Sequence, residues 1–207
     1  MITLNDIEHR LAAHDAQLAP IRASTRRAAV AVILRERDDA RSLGPELLFI
    51  RRAEKQGDPW SGHMAFPGGH MDPSDRSLLD AAVRETSEEI GLDLTERGTQ
   101  IGMLDHQRAQ PRGRPLNMVI APYVFRLDRD CAYQPNHEVA EVVWTPLQPM
   151  VTGANHTEEE RIINGSPVLF SGYRINGGHF VWGLTYRMLQ SFFQVLDPTW
   201  ESPEQHG

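Results

Sequence analysis

The sequence predicts a layered domain of the α/β or α+β class. Three observations predict it. Apolar, β-branched runs ("RRAAVAVIL", "ELLFIRR", "NMVIAPYVFRL", "EVAEVVWTPL") are long enough for strands. Helical periodicity is confined to the start, middle and end of the chain, so helices and strands mix without strict alternation. The 207 residues, 40% of them hydrophobic, suit one domain with small additions and a proper core.

In chain order, Leu4, Ile7 and Leu11 recur at helical spacing after a start at Asn5, with Glu8 as a partial capping box. Two strands follow, "RRAAVAVIL" and "ELLFIRR", joined by a polar Gly/Pro-containing connection, and "HMAFPGG" adds a third short strand ending in a turn. From Ser74 the period changes to helical: Leu79, Val83, Thr86 and Ile90 mark an inner face, with Glu85, Glu88 and Glu89 expected on the opposite, outward one. "NMVIAPYVFRL" and "EVAEVVWTPL" give further strands, and Asn176-Gly177 predicts a hairpin turn within "SGYRINGGHFVW". Leu184, Met188, Phe192 and Val195 mark a closing helix, after which the tail from Asp197 reads as loose.

Charge and composition narrow the function. A net charge of -7 argues against broad binding to nucleic acid or an anionic membrane. The single Cys131 cannot form an internal disulfide, residues 1–20 contain His, Asp and Glu where a signal peptide needs an apolar segment, and no run approaches a membrane span. The expectation is a soluble, cytoplasmic protein.

The stretch "RETSEEIGL" ends its helix against its own interest. Glu85, Glu88 and Glu89 at i, i+3 and i+4 crowd the carbonyl end, where the macrodipole disfavours each by ~0.3–1 kcal/mol and the Glu85/Glu89 pair adds ~0.2–0.5 kcal/mol of repulsion. A hard cation, Mg2+ or Mn2+, would turn that repulsion into coordination and hold substrate phosphate. Pro67-Gly68-Gly69 just upstream is a side-chain-free turn where backbone can approach a metal or phosphate. The bland alternative is a solvated helix face with Arg84 paired to Glu88.

This spacing resembles the Nudix box, in which a glycine, five residues, a glutamate and seven residues precede R-E-U-x-E-E-x-G-U, with U apolar. Arg84-Glu85, Glu88-Glu89 and Gly91-Leu92 match its second half, with Thr86 at the first apolar position. Its first half differs: Asp75 takes the glutamate position, and eight residues rather than seven separate it from Arg84. The resemblance implies an α/β/α sandwich with a mixed central sheet and hydrolysis of a nucleoside diphosphate linked to another group. It implies Glu85 as metal ligand or general base, Glu88, Glu89 and the Gly68 carbonyl as metal ligands, and Arg84 as the residue that orients Glu85. Residues 26–197 would form the Nudix domain, 1–25 a helical extension and 198–207 a loose tail.

Within the family the likeness is closest to the coenzyme A pyrophosphatase branch, through Gly62, Phe66 and Pro67 of "GHMAFPGG", the extra residue after "DPSD", and "EVAEVVWTPL". The preceding "LLFIRRAEKQGDPWSG" departs from that branch, with Ile50 and Arg51 in place of threonines. The expected substrate is coenzyme A, giving 3',5'-ADP and phosphopantetheine; ADP-ribose, NADH or another nucleotide derivative is the alternative, and a non-catalytic nucleotide-binding module a further one. Candidate substrate contacts are Arg51, Arg52, Trp60 and the basic run with Arg108, Arg112 and Arg114. Glu138 is a candidate late metal ligand, and His63 and His70 flank the turn. The partner is a small nucleotide, with neither nucleic acid nor membrane; oligomeric state is left open, a homodimer included.

Overall fold

The structure, a computed structural model, describes residues 1–36, 44–57, 60–109, 116–163 and 165–203. A mixed sheet of eight strands forms its centre: β1 (Arg26–Arg35), β2 (Glu46–Arg52), β3 (Met64–Ala65), β4 (Gly68–His70), β5 (Gly98–Met103), β6 (Gln107–Arg108), β7 (Met118–Leu127) and β8 (Val139–Pro146). A second, antiparallel sheet holds β9 (His156–Ile163), β10 (Ser166–Arg174) and β11 (Phe180–Trp182). The helices are α1 (Leu4–Ala12), α2 (Leu78–Ile90), α3 (Leu94–Arg97), α4 (Gln148–Val151) and α5 (Gly183–Leu196).

β1 and β7 run parallel from Arg26↔Met118 to Leu34↔Arg126. The other edge of β1 is shared: β2 pairs antiparallel at Leu34↔Leu47, whereas β4 pairs at Ala28↔His70 to Val30↔Gly68. The edge is therefore divided between two strands, and the Ala31 N–H reaches the Pro67 carbonyl at 2.8 Å. That division seats the glycine turn against the middle of the sheet.

The period of two along β1 sorts the core into layers. Ala31 and Ile33 join Leu48, Ile50, Ile90 and Phe125 on the α2 side, while Val32 and Leu34 join Phe49, Phe192 and Ile7 on the side of α5 and α1. Each Leu, Ile or Phe fully withdrawn from water contributes ~1.5–3 kcal/mol before entropy is counted. The two clusters make the expected helix-sheet-helix sandwich. Among the described residues no helix is long and apolar enough to cross a membrane.

Several sequence expectations need correction. The first helix is capped at Thr3, not Asn5, and its capping partner is Asp6: the Asp6 N–H reaches Thr3 Oγ1 at 3.1 Å and the Thr3 N–H reaches Asp6 Oδ2 at 3.0 Å. α2 begins after its cap Ser77, since residues 72–75 close a turn of their own through Asp72 and Asp75. The 176–177 turn is longer than a two-residue hairpin, with a 3-10 turn at Asn176–Gly178 joining β10 to β11. Nor is the described tail loose: the Trp200 indole N–H reaches the Val151 carbonyl at 2.9 Å and its ring meets Phe193 edge-on at 5.3 Å. A half-buried tryptophan next to an open core surface docks the chain that carries it.

Candidate active site

Small residues position the catalytic candidates. Ala81 and Ala82 of α2 lie fully buried against Ala29 of β1 and Ala121 of β7. Without larger side chains between them, helix and sheet approach closely, and the next turns of the helix bring Glu85 and Glu89 against the glycine turn. A β-carbon on Gly69 would sit 2.5 Å from the Glu85 carboxyl carbon. The Gly68 N–H donates to Glu89 Oε2 at 2.8 Å. Gly91, at φ 70°, then ends the helix.

Glu89 corrects the expectation of three outward carboxylates. It is only 2% exposed, turned inward to meet Gly68. Burial pushes its pKa up to about 8, against the pull of the Gly68 N–H and the nearby Arg52 charge. Glu85 is half-buried and also raised, by burial, with the Arg84 guanidinium opposing. Glu88 stays exposed.

One guanidinium organises the cluster. Arg84 grips both Asp75 oxygens at 3.0 Å, and Nη1 reaches Glu85 Oε1 and Glu88 Oε2 at 3.1 Å each. Its Nη2 also donates to the His70 carbonyl at 3.0 Å. The hydrogen bond from Arg84 holds the Asp75 carboxyl below its ordinary range, and Asp75 in turn raises the arginine. Asp75, at the position where the Nudix box has a glutamate, thus anchors Arg84, and Arg84 positions Glu85. The Arg84–Glu88 pair exists as well, but as one arm of this hub.

The other candidates are dispersed. Glu138 is partly exposed, and its charge raises both Glu85 and Glu89, which puts it at the rim of the same group. Arg52 is felt at Glu89, whereas Arg51 pairs with Glu141 at 3.6 Å. Trp60 packs on the α5-side core. Arg108 reaches the Pro20 carbonyl at 3.4 Å, and Arg112 and Arg114 lie outside the described residues. His70 Nε2 meets Arg26 at 2.9 Å, and the His63 ring lies 4.5 Å from that of Trp182.

Among the described residues, no three His, Cys, Asp or Glu side chains already converge as a cation cage. The reason is visible: Arg84 occupies Glu85 and Glu88 while Gly68 occupies Glu89. The donor chemistry nevertheless fits a hard cation, since Glu85, Glu88 and Glu89 offer carboxylate oxygens beside a backbone that has no side chain in the way. Arg84 meets three carboxylates, Asp75, Glu85 and Glu88, so added positive charge is favoured there.

The glycines give a direct test. In Gly68→Ala the new carbon would lie 2.2 Å from the Ala29 carbonyl oxygen, at φ 146°, so stability should fall by ~1–3 kcal/mol in thermal melts. Gly69→Ala meets only the movable end of Glu85, so it should keep most stability and lose activity. Equal loss of stability in both variants would contradict this account.

Comparison with known proteins agrees with this geometry. The profile of the NUDIX domain matches residues 25–164. The human mitochondrial coenzyme A diphosphatase NUDT8 is 30% identical over 166 residues, spanning 79% of this chain and 68% of its own length. The uncharacterized Nudix hydrolase NudL of Pectobacterium atrosepticum is 31% identical over 157 residues, spanning 74% and 77%. A MutT/nudix family protein from Enterococcus faecalis shares the fold, with TM-score 0.55 and 18% identity over 95% of this chain and 70% of that one. Hydrolases of this family generally use divalent cations and act on small nucleotide substrates. With the domain profile laid over the turn and helix that gather these carboxylates, the chain belongs to the Nudix family and is a hydrolase of pyrophosphate bonds.

Proposed function

We propose that the chain is a Mg2+- or Mn2+-dependent hydrolase that cleaves coenzyme A to 3',5'-ADP and 4'-phosphopantetheine. The observation that carries hydrolysis is the approach of Glu85 and the buried Glu89 to the Gly68-Gly69 turn. Glu85, Glu88, Glu89 and the Gly68 carbonyl would hold the cation, with Glu138 at the rim. When bound, the ion supplies neutralisation of diphosphate charge and acidification of water.

The chain's own groups do the rest. Arg84, fixed by Asp75, holds the Glu85 carboxylate in place at 3.1 Å. Glu85, made more basic by burial, takes a proton from the attacking water. Arg52 adds positive charge beside Glu89, where substrate phosphate gathers. The water oxygen bonds to one phosphorus, the anhydride bond breaks, and the bridging oxygen leaves with the other phosphate.

Coenzyme A as the substrate is supported by the likeness to NUDT8, a coenzyme A diphosphatase by name, and by the "GHMAFPGG" element. The test is a panel of coenzyme A, dephospho-coenzyme A, ADP-ribose, NADH, dinucleoside polyphosphates and nucleoside triphosphates with Mg2+ or Mn2+, products being read by mass. Coenzyme A should exceed its dephospho form by more than about tenfold in kcat/KM, because charge-assisted contacts are each worth ~1.5–3 kcal/mol. Faster turnover of ADP-ribose or a dinucleotide would transfer the assignment to that substrate.

A further inference from the structure

A polar cleft of ≈ 360 Å³ opens between the second sheet and residues 61–64. Ser61, His63, Arg161, Arg174, His179 and Trp182 line it. Its volume falls within the ~300–1,000 Å³ typical of small-ligand sites.

The two arginines are fixed before any ligand arrives. Glu159 pairs with Arg161 Nη2 at 2.8 Å and Arg174 Nη2 at 2.5 Å, and the Gly178 carbonyl takes Arg174 Nη1 at 2.9 Å. Both guanidiniums lie over Phe180, at 5.6 and 5.8 Å, and that of Arg161 also lies 5.4 Å from the Trp182 ring. One carboxylate thus serves two cations, and Arg161 Nε is buried with no hydrogen-bond partner among the described residues. Glu54 also lines the cleft, and Glu141 holds His179 Nε2 at 3.1 Å. The surplus donors therefore lie at the guanidiniums, and the aromatic faces at Trp182 and His63.

The cleft abuts the catalytic strand end. The His63 carbonyl accepts the Arg52 N–H at 3.0 Å, and Met64 pairs with Arg51 in the β2–β3 ladder. The chain from the cleft wall at His63 runs on within a few residues to Gly68.

Building on the coenzyme A reading, we propose that this cleft seats the 3'-phosphorylated adenosine half of the substrate, its phosphate monoester on Arg161 and Arg174 and its base against Trp182 and His63. Fixed arginines suit a phosphate monoester through paired N–H donors, and aromatic faces suit a base. The pantetheine arm carries no charge and gains less than a phosphate monoester from paired guanidiniums.

Calorimetric titration with adenosine 3',5'-bisphosphate and with 5'-AMP tests this without requiring turnover. The parent should bind the bisphosphate about tenfold more tightly than AMP, and Arg161→Ala and Arg174→Gln should each lose most of that preference while keeping AMP affinity. The same variants should lose the advantage of coenzyme A over dephospho-coenzyme A in kcat/KM and leave the dephospho rate near parental. Arg174 is about half exposed, so its variant should fold even if that of Arg161 does not. Equal binding of the two nucleotides by the parent, or an intact preference in folded variants, overturns the proposal. A preference that the variants lose, in a protein that does not cleave coenzyme A, supports the cleft and overturns the substrate reading alone.

Discussion

Glu89→Gln and Glu88→Gln should each lower kcat at least ~100-fold while leaving the fold intact. The two variants fail for one chemical reason from different surroundings. At position 89 the amide oxygen can still accept the Gly68 N–H, now 2.8 Å from the Glu89 carboxyl, so the packing survives and only the ability to ionise toward a cation is lost. At position 88 the side chain is 57% exposed and pairs only with Arg84 among the contacts described, a surface ion pair worth ~0–1 kcal/mol. Neither change gives an unfolding explanation for lost activity. Circular dichroism and thermal melts should therefore match or exceed the parent while turnover on the best nucleotide collapses. Near-parental turnover in either variant would return that carboxylate to a solvated helix face and remove the cation assignment from it.

The fold was legible where one residue pattern has one physical solution. β1 and β7 read as strands because continuous apolar runs have to be buried on both faces, and the paired layers bear this out. α2 was legible from its period and from Gly91. The burial of Glu89 was not, because a helical wheel assigns sides relative to a flat neighbour, and the divided edge of β1 places Gly68 where a carboxylate can turn inward. The role of Asp75 was hidden for a related reason: spacing alone cannot distinguish a ligand from an anchor, and a bidentate grip appears only when Arg84 folds back across nine positions. β9 and its cleft have no counterpart in the sequence analysis, because the charged run at 158–161 in "HTEEERII" leaves no apolar alternation to mark a strand. In the fold Glu159 is a clamp between two arginines, and the strand's alternation separates it from its exposed neighbours.

The burial of Glu89 has its second consequence in the metal-free protein, whose stability should fall as pH rises from about 4.5 to about 8. The folded pKa, about 8, lies above the ordinary value of 4.5. In that window the folded chain keeps a proton that the unfolded chain has released, so raising the pH favours unfolding. The contribution is complete below about 4.5 and gone once pH passes through about 8. A tenfold difference in proton affinity between folded and unfolded chain corresponds to ~1.4 kcal/mol, so the total is a few kcal/mol. Glu85, raised in the same direction by burial, adds to the slope, whereas Asp75 is lowered and acts only in more acidic solution. Thermal melts in chelator across this range should show a falling Tm for the parent and a flatter profile for Glu89→Gln, with the variant the more stable of the two near pH 8. Adding Mg2+ should restore the parent most at high pH, because a ligand that prefers the ionised site stabilises the folded state through linkage, and it should do less for the variant. A parental Tm that stays level or rises over this interval would mean that Glu89 is ionised in the fold without a cation, and that the Gly68 and Arg52 contacts outweigh its burial.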